Sequence, residues 1–245
     1  MRYKISFKAN KVPVHYRMGI LSLIKEALSR SDQSYCQSLF LNNRDLKPFA
    51  YAVYLKNFTF KENCIELDGF DLTVSSSDYQ FMMHLHNGMC RIKNFRYLDF
   101  EWQLERIQML PEKIINSSQV LFKTVSPLLI ESKAGKPVFP TDSSYEREFN
   151  YYANLVVKAC LGRSLKRPLL VKPLQMKKMV IKESNRVIRE GENPDQILYF
   201  TTFKGMLYLE GDQEDLMCLY QNGISKRRSS LGMGLLDIEM EGGIR

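Results

Sequence analysis

Along the first 110 residues, stretches of alternating apolar and polar positions trade places with stretches at helical spacing. Residues 2–8 alternate Arg, Tyr, Lys, Ile, Ser, Phe, Lys, the period of two of a strand with one buried face. From 16 to 29, Ile20, Leu21, Leu23, Ile24, Ala27 and Leu28 fall on one helical stripe, with Pro13 just ahead, near a helix start. Tyr51–Phe60 and Ile65–Val74 are rich in aromatic and branched residues, and the polar Lys61-Glu62-Asn63 separates them as two strands. Ser75-Ser76-Ser77-Asp78 then supplies capping side chains for a helix over Tyr79–Asn87, with Gly88 suited to a left-handed C-terminal cap. A last strand falls within residues 91–110, so the predicted order is β-α-β-β-α-β.

The second half repeats that order. A strand over Val120–Ile130 precedes a helix over Ser144–Leu161, strands near 169–183 and 196–210, a helix over Gln213–Asn222 and a strand over Gly234–Glu239. Setting Asn87-Gly88 on Asn222-Gly223 gives an offset of 135 residues and pairs Phe81-Met82-Met83 with Leu216-Met217-Cys218. The pattern predicts an α+β protein of two tandem ferredoxin-like (β-α-β-β-α-β) domains. Residues 1–112 form the first domain and 118–245 the second, joined around Pro111–Ser118.

Composition narrows the function. The 245 residues are 44% hydrophobic and 25% charged, an ordinary globular balance that excludes a disordered or collagenous chain. No apolar run approaches the ~18 residues of a membrane span. The charged start, Met-Arg-Tyr-Lys-Ile-Ser-Phe-Lys, lacks the apolar stretch of a signal peptide, so a cytoplasmic protein without a membrane partner is expected. Cys36, Cys64, Cys90, Cys160 and Cys218 are scattered and odd in number, which argues for reduced thiols. On a strand, His84 and His86 would share a face and a metal; on the predicted helix they lie about 200° apart, which excludes a shared site, the alternative being a hairpin turn at Asn87-Gly88 that restores the strand. No cofactor is expected.

The net charge of +8 is localised. Arg163, Lys166, Arg167, Lys172, Lys177, Lys178, Lys182, Arg186 and Arg189 crowd residues 161–190 against only Glu183 and Glu190. Of 35 Lys+Arg and 27 Asp+Glu in all, the remaining 26 and 25 nearly balance. A basic block of this kind points to nucleic acid before other partners.

Residues 223–234, Gly-Ile-Ser-Lys-Arg-Arg-Ser-Ser-Leu-Gly-Met-Gly, link the last helix to the last strand. A glycine-rich turn lets backbone N–H groups approach phosphate, and Lys226, Arg227 and Arg228 add charge. In this place it resembles the glycine-rich loop of the repeat-associated mysterious proteins. Within that superfamily the chain is most similar to the sixth Cas family, the CRISPR-associated endoribonuclease that cuts repeat RNA. Val12-Pro13, Leu23-Ile24, Lys47-Pro48-Phe49, Val125-Ser126-Pro127, Phe149 and Asn154-Leu155 carry the likeness along the chain in order.

The resemblance implies metal-independent attack of a ribose 2′-OH on the adjacent phosphate, leaving a 2′,3′-cyclic phosphate and a 5′-OH. Many relatives use a His after the first helix and a Tyr within it. In register with Lys47 and Leu23-Ile24, those positions hold Phe40 and Lys25. As in relatives that lack the His, the resemblance implies a cationic site of Lys25, Lys47 and Arg228. His15, just before the first helix beside Tyr16, is by residue type a candidate acid or base, the alternative being a hydrogen-bonding role in the turn. The basic block and the charged glycine-rich loop put forward Lys166, Arg167, Lys172, Lys177, Lys178, Lys226, Arg227 and Ser229 for RNA binding. The partners the resemblance implies are repeat and guide RNA, with other Cas effector subunits beside them. The alternative is a guide-RNA-binding subunit that has lost catalysis.

Overall fold

The computed structural model describes residues 1–41, 46–184, 197–224 and 231–242. The first half builds a sheet from β1 (Arg2–Lys8), β3 (Ala50–Lys56), β6 (Gly69–Ser75), β7 (Asn94–Tyr97) and β8 (Phe100–Met109). Their order is β3-β6-β1-β8-β7, with every neighbouring pair antiparallel. Helices α1 (Tyr16–Ser31) and α3 (Tyr79–Met89) belong to the same half. The second half repeats the scheme with β9 (Gln119–Thr124), β10 (Leu170–Ser184), β11 (Ile197–Glu210) and β12 (Leu236–Glu241), in the order β10-β11-β9-β12. Helices α4 (Tyr145–Leu161) and α5 (Gln213–Asn222) complete it. In both halves the first strand lies between the third and fourth, the ferredoxin-like arrangement expected from the sequence.

Each half has its own apolar core. In the first, Ile5 and Phe7 from β1, Leu23 and Ile24 from α1, and Phe81 and Leu85 from α3 are buried around Trp102. In the second, Phe149 and Tyr152 from α4 and Leu216 and Leu219 from α5 pack against Phe122, Leu207 and Leu209. The halves are fastened by Arg2, which is 6% exposed: its guanidinium donates to the carbonyls of Tyr220 and Leu236 and lies 4.3 Å from the centre of the Tyr220 ring. Asn222 Oδ1 accepts from the Ser77 amide and hydroxyl, and Ser75 Oγ donates to the Gln221 carbonyl. A buried guanidinium and amide gain specificity from such pairing, because either group left alone in a seam would be destabilising.

Local chemistry corrects three sequence expectations. Asp78 caps α3 by accepting from the Phe81 amide, but the helix runs through Gly88 to Met89 and is followed by a right-handed Cys90. Gly88 is needed for close approach instead: a Cβ there would overlap the Ala27 carbonyl of α1. The matching cap on α5 is Asp212, 134 residues from Asp78. The helices therefore correspond one residue out of step with the Asn-Gly alignment, and Met82 and Leu85 match Leu216 and Leu219, all buried. Third, the stretches read as single strands are broken. Lys11–Pro13, Thr59–Phe60 and Cys64–Glu66 (β2, β4 and β5) form a separate small sheet, and β7 and β8 make a hairpin.

An extra helix, α2 (Gln33–Leu41), sits between α1 and β3. Asp32 Oδ1 accepts from the Tyr35 amide at its start. Tyr35, Cys36, Leu39 and Phe40 turn toward the first core at helical spacing. His84 lies on α3 within reach of Ser31 Oγ and stacked on Tyr35, whereas His86 meets Tyr3 and Cys90.

Candidate active site and nucleic-acid interface

Helix α1 presents Lys25 and α2 presents Phe40, while the Lys47-Pro48-Phe49 entry to β3 brings Lys47 to the same place. The Lys25 ammonium lies 4.6 Å from the centre of the Phe40 ring and the Lys47 ammonium 5.4 Å from it. Both distances are within the ~6 Å reach of a cation–π contact. Lys47 is 7% exposed and donates through Nζ to the Leu39 carbonyl at 2.8 Å. Two like charges thus share one aromatic ring, and no carboxylate lies within 4 Å of Lys25 among the described residues. The ring's electron-rich face holds the ammonium groups by attraction to their charge and does not neutralise it.

His15 is not part of this cluster. It precedes α1, ten residues from Lys25, or roughly 15 Å along the helix at the usual rise. Its Nδ1 lies 3.0 Å from the Lys182 carbonyl. Lys226, Arg227, Arg228 and Ser229 lie outside the described residues. The stem beneath them is firm: Ile224 donates to the Gly234 carbonyl and Gly234 to the Pro127 carbonyl. Gly234 has a φ of 86°, and a Cβ there would overlap the Ile224 carbonyl.

The basic block divides by strand geometry and local pairing. Lys166 pairs with Glu214 at 2.9 Å and Asp212 at 3.2 Å. The hydrogen bonds that its ammonium donates to Glu214 first, then Asp212, raise its pKa above the usual range. Arg163 holds Asp215 and Glu214, and Arg167 donates to the Gly211 carbonyl. The start of the block therefore braces the acidic first turn of α5.

Farther on, the edge position of β10 tolerates Pro173, and a bulge between Leu174 and Lys177 resets the alternation. Lys172 pairs across β11 with Tyr208, Lys177 with Lys204, and Met206 with Lys123 of β9. These side chains share the sheet face that does not carry α4 and α5. Lys172 lies 5.8 Å from the Tyr208 ring centre. Lys178 and Lys182 take the opposite face, near Phe139 and Tyr199. One face thus carries Lys123, Lys172, Lys177 and Lys204 around an aromatic ring, the mixture that binds a single-stranded backbone and its bases. Lys123 and Lys204 stood outside the basic block and were missed; their signal was a charge at a face position of an otherwise apolar strand.

With this geometry in place, comparison with known proteins is decisive. The family described as "CRISPR associated protein Cas6, C-terminal" matches residues 110–238, just over half the chain. The chain belongs to the Cas6 family. The structure of a Cas6-related gene product from Pyrococcus furiosus is 17% identical, with a TM-score of 0.80 and 99% of each chain covered. A RAMP protein described as binding different RNA substrates is 16% identical, with a TM-score of 0.77 and coverage of 98% of this chain and 100% of that one. A Cas6 solved as a product complex is 14% identical, with a TM-score of 0.67 and 97% and 98% coverage. No curated protein matches the sequence significantly. At these identities the likeness extends the Cas6 fold over the whole chain. In this Cas6 chain no described helix is long and apolar enough to cross a membrane. Among the described residues no group of three His, Cys, Asp or Glu could hold a metal ion.

Proposed function

We propose that this Cas6-family chain binds CRISPR repeat RNA and cuts precursor CRISPR RNA into guide RNA without a metal ion. The division into domains of residues 1–112 and 118–245 belongs to the same reading. The observation that carries it is the convergence of Lys25 and Lys47 on Phe40. In the reaction the ribose 2′-oxygen attacks phosphorus and gives up its proton as the bond to the 5′-oxygen breaks and that oxygen takes a proton. The products are a 2′,3′-cyclic phosphate and a 5′-OH. Negative charge grows on the phosphate oxygens, and fixed cations stabilise it more than they stabilise the resting diester. Lys25 and Lys47 supply that charge, joined by Arg228, which lies outside the described residues. His15 is the alternative proton carrier.

RNA binding rests on the lysine-rich face of the second sheet. It also rests on the family, whose structural relatives include a protein described as binding RNA and another as a product complex. Guide-RNA partnership and contact with other Cas subunits are part of this proposal. A second reading, a guide-RNA-holding subunit without catalysis, is favoured by Lys47, buried and already bonded to the Leu39 carbonyl.

The deciding experiment incubates the protein with repeat RNA in EDTA under single-turnover conditions and maps the product ends. Cleavage should survive the chelator, and Lys25→Ala or Lys47→Ala should lower its rate by roughly one to three powers of ten, with a smaller change in affinity. A larger loss in His15→Ala transfers the proton role to His15. Tight binding without cleavage by the wild type establishes the subunit reading instead.

A further inference from the structure

We propose that Cys160 and Cys218 form a redox-active dithiol that a hydroperoxide converts to a disulfide, fastening helix α4 to helix α5 in the second domain. Cys160 is the penultimate residue of α4 and Cys218 lies within α5, nearly sixty positions later in the chain. Both pack against the second core, Cys218 buried and Cys160 half-buried. Their side chains are within hydrogen-bonding reach of each other. An S–S bond can therefore close by a short approach of two sulfurs on neighbouring helices, and the last turn of α4 yields more readily than a helix centre.

The two thiols are unequal, which divides the chemistry between them. The Cys218 thiol donates to the Cys160 sulfur and lowers the Cys160 pKa below the usual thiol value, against the opposing effect of burial and with a further lowering bond from Ser77. The same bond, together with burial, pushes the Cys218 thiol far up. Cys160 is thus the nucleophile, and Cys218 keeps its proton until a reaction partner arrives. The pair is also within reach of a small oxidant. A cavity of about 280 Å³, whose walls include Ser77, Leu161, Met217, Cys218 and Gln221, opens beside it. That is ample for a peroxide little larger than water, whose share of the liquid is ~30 Å³. By contrast, Cys36 donates to the Lys25 carbonyl and the exposed Cys90 lies beside His86.

The Cys160 thiolate attacks one peroxide oxygen, and the S–O bond forms as the O–O bond breaks. The departing hydroxide takes up the proton that Cys160 released and becomes water. The Cys218 sulfur then attacks the sulfenic sulfur, so that S–S forms as S–O breaks, and a second water leaves with the Cys218 proton. Each sulfur gives up one electron and the peroxide takes both. The new bond ties α4 to the helix whose Asn222 holds Ser77 of the first domain.

The test exposes the full chain to a slight excess of hydrogen peroxide, alkylates the remaining thiols and maps the peptides by mass spectrometry. A peptide pair joined through Cys160 and Cys218 should dominate, ahead of any change at Cys90 despite its greater exposure, and dithiothreitol should release it. The oxidised protein should melt about 5–10 °C above the reduced one, the shift expected when a disulfide closes so long a loop. Cys160→Ser should leave Cys218 unoxidised, whereas Cys218→Ser should trap Cys160 as a sulfenic acid that a dimedone probe labels. Recovery of Cys160 and Cys218 as separate alkylated thiols while Cys90 is oxidised overturns the proposal. A disulfide that forms without raising the melting temperature overturns the fastening. The wild-type map decides the matter even if a variant fails to fold.

Discussion

Replacing Phe40 by Leu tests the feature that most distinguishes this site. Leucine keeps the apolar contact of α2 with the first core but removes the π-face that two ammonium groups share at 4.6 and 5.4 Å. Each contact is worth ~0.5–1 kcal/mol where exposed and ~2 where desolvated. Lys25 is half-buried and Lys47 buried, so the pair together holds the lysines in place by about 1.5–3 kcal/mol. Lys47 keeps its bond to the Leu39 carbonyl in the variant, so most of the loss falls on Lys25. If about half of the stabilisation is expressed in the transition state, the cleavage rate should fall by ~3- to 12-fold, at 1.4 kcal/mol per factor of ten. Phe40→Trp restores a π-face and should recover activity to within about threefold of wild type. Single-turnover cleavage of labelled repeat RNA in EDTA, with affinity measured separately, reads the effect on the chemical step. Equal rates for the Leu and Trp variants would show that Phe40 acts as packing alone. A Leu variant that loses affinity and rate in proportion would refute the claim that the ring serves the transition state.

Two other predictions concern the scaffold. Glu183 is fully buried, and burial pushes its carboxyl up to about 7 against the opposing pull of Arg17. Because the folded pKa is raised above the ordinary carboxylate value of about 4.5, the native state holds the extra proton between those pH values. Stability from this group is therefore fully present below about pH 4.5 and declines as pH rises through 7, by an order of ~3 kcal/mol. Glu183→Gln should flatten that decline in urea melts between pH 5 and 8, and an unaltered slope would refute the assignment. Gly88→Ala should destabilise by about 2 kcal/mol despite a helix-propensity gain of ~1 kcal/mol, since its methyl overlaps the Ala27 carbonyl. A melting temperature at or above that of wild type would contradict that packing.

The sequence by itself determined what depends on local periodicity. The duplicated β-α-β-β-α-β order, the helix over Gln213–Asn222 and the placing of His84 on a helix were all legible, because apolar spacing and capping residues act within a few positions. Helix α2 was not read from the sequence, because Tyr35, Cys36, Leu39 and Phe40 form only a weak amphipathic face. The ends of elements were harder. Gly88 has the same signature as a helix stop and as a close helix crossing, and only the position of Ala27 distinguishes them. Likewise, a strand with a bulge keeps its composition while exchanging its faces, so the basic block could not be divided into Lys172 and Lys177 on one side and Lys178 and Lys182 on the other. Pairing of Lys166 with the first turn of α5 depended on residues nearly fifty positions away. The resemblance had already grouped Lys25 and Lys47 with position 40, but the stacking of both ammonium groups on the Phe40 ring was decided by the tertiary structure. Periodicity reports which side of an element is buried, whereas charge acts through distance in space, which the chain sets only when its elements have packed.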